Sequence, residues 1–173
     1  SRFIKAARAV EVEEYVSSHK FSDFAVVPLL HENIVKKGFE TPSPIQDQAI
    51  PEGLKGHDII GIANTGTGKT VAFAVPVLDK LISNPASSAL IMAPTRELAL
   101  QIEEECKMLA RGSGLYGAIL IGGAPMGPQL KDLARLPSIV IGTPGRIKDH
   151  LERGSLNLAK FDIVVLDEVD RML

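Results

Sequence analysis

Five short runs of apolar residues recur along the chain, at Asp58–Ala63, Ala89–Ala93, Gly117–Ile121, Ile139–Gly142 and Ile163–Leu166. Ile, Val and Leu follow one another there without polar alternation. Strands buried on both faces read this way, and they belong to parallel sheets covered by helices. The longer stretches between the runs return their apolar positions at helical spacing. They predict helices over Lys69–Ser83, Thr95–Arg111, Pro128–Arg135 and Gly145–Arg153, with two more over Pro28–Lys37 and Ile45–Leu54. Residues 1–20 differ in texture, and Val12, Glu13, Glu14, Tyr15 and Val16 suggest a short flanking helix. The expected organisation is a flanking segment over 1–20 and one α/β domain over 21–173.

Each run ends in a polar or glycine-bearing cluster: Asn64–Thr70, Pro94–Ala99, Gly122-Gly123, Thr143–Arg146 and Asp167–Asp170. In an open parallel sheet all carboxyl ends emerge along one edge, which is where ligands bind. That edge is therefore the expected active surface. The first cluster, Ala63 to Thr70, reads A-x-x-G-x-G-K-T, a phosphate-binding loop with Ala63 where a glycine is expected. Gly66 and Gly68 let successive N–H groups turn towards a phosphate, and Lys69 adds a positive charge. Thr70 offers a hydroxyl to Mg²⁺, at the start of a helix whose positive end faces the anion. Asp167 and Glu168 follow a buried strand and deliver two carboxylates to the same edge. A phosphate loop alone implies nucleotide binding; paired with an acidic strand end it implies hydrolysis.

Composition narrows the class without naming it. A chain of 173 residues, 45% hydrophobic and 23% charged, can bury one sizeable core. A formal net charge of −2 argues neither for nor against nucleic acid, because only local patches act on a phosphate backbone. The single cysteine, Cys106, shares a predicted helix face with Leu98, Ile102 and Leu109, so it reads as buried filler in a reducing compartment. The N-terminus lacks a basic-then-apolar signal pattern, and no apolar run approaches the ~20 residues of a membrane span. The expected location is cytoplasmic, with no membrane partner.

The clusters together resemble the DEAD-box ATP-dependent RNA helicases. Gly38-Phe39-Glu40-Thr41-Pro42-Ser43-Pro44-Ile45-Gln46 is similar to the family's Q motif, and Phe21 stands where the family places an isolated aromatic. Ala63–Thr70 resembles motif I, Pro94–Ala99 motif Ia, Gly122-Gly123 the GG element, Thr143–Arg146 motif Ib, and Asp167–Asp170 motif II. The matches run in family order from Phe21 to Leu173. Asn64 fills a variable position of motif I, and Val169 stands in place of the alanine of D-E-A-D, adding bulk without removing charge.

The resemblance implies a RecA-like P-loop domain, mainly parallel β-sheet with helices on both faces, that stops after the Walker B strand. It implies ATP and Mg²⁺ as cofactors. Phe21 would stack on the base, with Phe39 in the same context, and Gln46, with a donor and an acceptor, would read adenine's edge. Without the resemblance, a core phenylalanine and a surface glutamine would be the plainer reading. Thr65, Gly66, Thr67, Gly68, Lys69 and Thr70 would hold the phosphates, and Thr70 with Asp167 the metal, Asp167 through water. Lys69, Asp167 and Glu168 would be catalytic, with Glu168 positioning or deprotonating the attacking water.

RNA, single-stranded or duplex, would meet Pro94, Thr95, Arg96, Gly122, Gly123, Thr143, Pro144, Gly145 and Arg146. No aromatic stands among them, so the backbone and not the bases should be gripped. On spacing alone, Arg96 and Arg146 could equally pair with Glu97 and Asp149 on a solvated face. The resemblance also implies a second RecA-like domain, whose S-A-T element and arginines are not in this sequence, so this chain by itself should be nearly inactive. Open strand edges would then favour self-association. Two alternatives remain: another P-loop NTPase, against which no N-K-x-D guanine motif occurs, and a catalytically idle nucleotide- or RNA-binding module, against which Lys69, Thr70, Asp167 and Glu168 stand intact.

Overall fold

Four strands, all parallel, lie in the order β2-β3-β1-β4: β1 is Ala89–Met92, β2 Gly117–Leu120, β3 Ile139–Gly142 and β4 Ile163–Leu166. The computed structural model describes residues 14–173. Six α-helices accompany the sheet among them: α1 (Pro28–Lys36), α2 (Pro44–Leu54), α3 (Lys69–Ser83), α4 (Arg96–Leu109), α5 (Met126–Ala134) and α6 (Pro144–Glu152). The helices follow the periodicity closely, and proline sits in the first turn of α1, α2 and α6, where its missing N–H costs nothing. Of the suggested flanking helix, Val12 and Glu13 lie outside the described residues, and Glu14–Val16 form no helix.

The centre of the sheet, β1 and β3, is coated on both faces, as its unalternated runs require. Ala89, Ile91, Ile139 and Ile141 point into one core with α1, α2, α3 and α4, including Leu30, Ile34, Ile50, Leu78 and Ile102. Leu90, Val140, Ala118 and Leu120 point into a second core with Leu133 of α5 and Ile147 of α6. Cys106 belongs to the first core, and burial, helped by the charges of Glu105 and Glu103, pushes its thiol up to about 12. It is an inert filler.

The first predicted strand does not form. Residues 58–63 run without a strand partner, and Ile60 and Ile62 are 96% and 93% exposed. The physical reason lies across from them. β4 pairs with β1 on one side only, and a cleft of about 340 Å³, lined by Ile59 and Gly61 on one wall and by Val164 and Leu166 on the other, separates it from this segment. An apolar run becomes a strand only where a neighbour accepts its backbone hydrogen bonds. β4 is also uncovered on one face: Ile163 and Val165 pack against the first core, while Val164 and Leu166 are exposed.

Candidate functional site

Because the four strands are parallel and in register, their carboxyl ends leave on one edge, carrying Pro94–Arg96, Gly122-Gly123, Thr143–Arg146 and Asp167–Glu168. The phosphate loop joins them there. Lys69 and Asp167 line the same cleft, whereas Thr70 borders a separate, more open hollow with Lys37, Gln101 and Glu104.

The loop is shaped from within and from α2. The Thr67 hydroxyl donates to Asn64 O (2.6 Å), and the Ser43 hydroxyl donates to Thr67 O (2.7 Å). Gln46 spans the two segments: its Oε1 accepts from Ser43 N–H (2.9 Å) and its Nε2–H donates to Gly68 O (3.1 Å). Gly68, at φ 83°, precedes α3 in the left-handed region, and a Cβ there would meet Gln46 Nε2. Gln46 is thus buried, with both ends of its amide engaged inside the protein. Phe21 is buried as well, at 2% exposure, stacked on Phe39 with centroids 5.4 Å apart and edge-on to Phe24 at 5.5 Å. Gln46 therefore stands beside the loop, while the Phe21 ring, with its N–H bonded to Glu40 O (2.9 Å), is enclosed in the first core and presents no open face for a base to stack on, contrary to the expectation from the motif.

One residue that the motifs do not mark organises this end. Asp47, directly after Gln46, is 4% exposed and accepts from Tyr15 O–H (2.5 Å), Ser18 N–H (2.8 Å) and His19 N–H (3.0 Å), with His19 Nδ1 at 2.7 Å. Burial alone would push its carboxyl up; the hydrogen bonds from Tyr15, Ser18 and His19 overcome this and hold it well below the usual carboxylate range. The segment ahead of Phe21 is thereby tied to α2.

At the acidic strand end, Asp167 N–H bonds Met92 O (2.9 Å) and the residue is 8% exposed. Burial pushes its pKa up; Lys69 draws it down, and Glu168 raises it again. Glu168 adopts φ 49°, ψ 48°, a left-handed conformation that costs a non-glycine residue about 1 kcal/mol. Its carboxylate accepts from Arg171 Nη1 at 2.7 Å. Arg171, three residues on at one-turn spacing, was legible in principle but not anticipated.

The donor set bears on the expected metal. Among the described residues no cluster of three or more His, Cys, Asp or Glu is placed to hold an ion. Mg²⁺ does not ask for one, because it keeps most of its water and takes one or two protein oxygens plus phosphate. Asp167, ending β4 in the cleft that Lys69 also lines, supplies a carboxylate oxygen of the kind Mg²⁺ takes, whereas Thr70, bordering the other hollow, is not brought to it as the motif led one to expect.

On the other half of the edge, Arg96 is exposed and lies against Gly123, where a Cβ would stand 2.7 Å from its Nη1. Thr95 caps α4 through Leu98 N–H (3.2 Å). Arg146 is turned inward: its Nη1 donates to Ala124 O (3.0 Å) and Gln129 Oε1 (3.2 Å), and its Nε lies 3.5 Å from Asp149 Oδ2. The local pairing that spacing allowed for Arg146 is present; for Arg96 no ion pair with Glu97 occurs among the described residues. Gly122, Gly145 and Pro144 flank this group at the surface.

The comparisons with known proteins agree on one family. A family model described as DEAD/DEAH box helicase matches residues 43–173. The ATP-dependent rRNA helicase RRP3 of Lodderomyces elongisporus is 47% identical over 159 residues, 91% of this chain and 32% of that protein. A putative ATP-dependent RNA helicase of Caenorhabditis elegans is 44% identical over 163 residues, 93% of this chain and 33% of its own length. The crystal structure of a DEAD box protein from the hyperthermophile Methanococcus jannaschii superposes with a TM-score of 0.82 at 39% identity, over 91% of this chain and 43% of that one. The chain thus spans about a third of the length of the curated relatives it matches. With the motifs in order, the parallel sheet in place and a model match over most of its length, the chain belongs to the DEAD/DEAH box helicase family.

Proposed function

We propose that residues 21–173 act as the ATP- and RNA-binding first RecA-like domain of an intracellular ATP-dependent RNA helicase, with 1–20 as its flanking segment. The observation that carries this reading is the sharing of one cleft by Lys69 and Asp167, on the edge where the arginine- and glycine-bearing clusters emerge. Phe39 and Gln46 serve the adenine, and the amides of Thr65–Gly68 with Lys69 hold the β- and γ-phosphates. Asp167 holds Mg²⁺, which when bound would neutralise charge on the phosphate oxygens. Glu168 orients the attacking water and takes its proton, and Arg171 fixes that carboxylate.

Pro94, Thr95, Arg96, Gly122, Gly123, Thr143, Pro144, Gly145 and Arg146 form the face that meets single-stranded or duplex RNA through phosphate and sugar. The partners are RNA, a second RecA-like domain of the same protein that completes the ATPase, and a second copy of this chain docked along the open β4 edge.

Titrating ATP and GTP side by side in the presence of Mg²⁺ tests the nucleotide assignment. ATP should bind more tightly, and Gln46→Ala should erode that preference. Equal affinity of the unmodified chain for both would remove the adenine assignment. Arg96→Ala should weaken RNA of any sequence by a similar factor and flatten the salt dependence by about one counterion. A change in sequence preference at constant salt slope would refute backbone reading.

A further inference from the structure

One buried polar cluster has no part in the chemistry above. Gln129 on α5 is 4% exposed and His150 on α6 is fully enclosed at 0%. The Gln129 side chain joins three segments. Its Nε2–H donates to Ile121 O (3.0 Å), and its Oε1 accepts from Arg146 Nη1 (3.2 Å) and lies 2.9 Å from His150 Nε2. Arg146 Nη1 donates in addition to Ala124 O (3.0 Å). One amide and one guanidinium thereby hold the two ends of a loop, Ile121 and Ala124, with Gly122 and Gly123 between them.

The amide can face only one way. For Oε1 to accept from both neighbours, His150 Nε2 must carry the proton, which leaves Nδ1 an acceptor 2.8 Å from the Ser155 hydroxyl, whose one hydrogen Nδ1 shares with His150 O (3.1 Å). The surroundings favour that neutral ring: burial, then the charges of Arg146 and Arg153, push the imidazole down. A leucine or methionine at position 129 would fill the same space without polar atoms to satisfy, so packing alone does not call for an amide here. The amide's distinctive work is on Arg146, whose side chain is 13% exposed and whose Nε is buried without a hydrogen bond.

We propose that Gln129 is a positioning residue for RNA binding, holding Arg146 and the Gly122-Gly123 loop in the arrangement that meets an RNA backbone without touching RNA itself. The inference rests on the reading of this edge as the RNA face. Arg96, packed against Gly123, would share in the arrangement through the loop.

The test is a double-mutant cycle on the 173-residue chain, with fluorescent single-stranded RNA titrated at several salt concentrations and ATP affinity and Tm measured alongside. Gln129→Met should weaken RNA about five- to tenfold, lower the salt slope by up to about one counterion and leave ATP affinity unchanged. Combined with Arg146→Ala it should weaken RNA by less than about twofold beyond Arg146→Ala alone. Should Gln129→Met not fold, Gln129→Glu keeps the two accepted bonds and loses the one to Ile121 O, and a smaller loss of RNA affinity at full ATP affinity supports the proposal. Normal RNA binding by the Gln129 variants, or losses that add fully to Arg146→Ala, would overturn it while the RNA face stands. RNA binding untouched by both Arg96→Ala and Arg146→Ala would instead overturn the RNA face, and this inference with it.

Discussion

The β2-β3-β1 side of the sheet and the β4 side are built from the same kind of sequence and reach different ends. Ile139-Val140-Ile141 is paired on both edges and covered on both faces, with exposures of 6%, 1% and 3%. Ile163–Leu166 is equally apolar, yet it is paired on one edge and covered on one face, and Val164 and Leu166 stay 57% and 52% exposed. Residues 58–63 go one step further and pair with nothing. An apolar run states only that a segment can be buried; what surrounds it decides whether it is. The clusters proposed to face RNA hang from the closed side, and the cleft proposed for the nucleotide opens on the other. On the proposed reading, rigid placement goes to the surface that would match a repeating backbone, and open space to the site that would admit a nucleotide.

The largest expected effect contrasts the two sides directly. A Cβ on Gly142 would stand 2.6 Å from Leu120 O and 3.0 Å from Ile147 Cγ1. Gly142→Ala should therefore cost about 2 kcal/mol or more in urea unfolding, because neither the neighbouring strand nor α6 can give way. Val164→Ala, on the open side, should cost about 0.5 kcal/mol or less. Comparable losses for the two would mean that the sides do not differ in packing as described.

Next in size is the cleft itself. Lys69→Ala removes a charge-assisted contact of ~1.5–3 kcal/mol, so Mg²⁺–ATP should bind at least about tenfold more weakly in a calorimetric titration. RNA affinity without nucleotide should hold, since Lys69 is not among the residues proposed to face RNA. A joint loss of both would tie the two halves of the edge more tightly than their geometry does.

Smaller, but sharper in location, is the expected contrast in amide exchange. Residues 59–63 and 163–166 should exchange faster than 89–92 and 139–142, and light scattering should show association growing with concentration as β4 edges meet. Strong protection at both segments in a strict monomer would abolish the open side altogether.

The smallest effect is a pH dependence. Asp167 has its folded-state pKa raised, so its stabilising contribution is complete below the ordinary carboxylate pKa and is lost as pH rises through the folded value. Asp167→Asn should consequently raise Tm slightly at neutral pH, with the gain vanishing in acid. A variant less stable than the original at pH 7 would show that the Lys69 attraction outweighs burial.

Periodicity placed the six helices and four of five strands, because each of those segments finds the neighbours its pattern anticipates. It missed at 58–63, where the pattern is as apolar as any other but the ladder has no second rail. The motifs marked Lys69, Asp167, Glu168 and Arg96 at the edge where the strands end. They did not mark Asp47, Gln129 or His150, and nothing local could have: a buried polar residue on an amphipathic helix looks like a surface one until the groups that satisfy it arrive from elsewhere in the chain. For Arg146 the i,i+3 spacing to Asp149 was visible, while its grip on Ala124 O and Gln129, 22 and 17 positions away, was not.

The knot at Asp47 makes residues 15–19 structural in a way that no motif advertises. Trimming the protein just ahead of Phe21 would strip away Tyr15, Ser18 and His19, and with them every hydrogen bond described for the Asp47 carboxylate, which would then turn to water. The disturbance would land one peptide bond from Gln46 and two residues ahead of Phe21, which stacks on Phe39. If Gln46 reads adenine as proposed, an edit at a terminus would then register as a weaker preference between ATP and GTP.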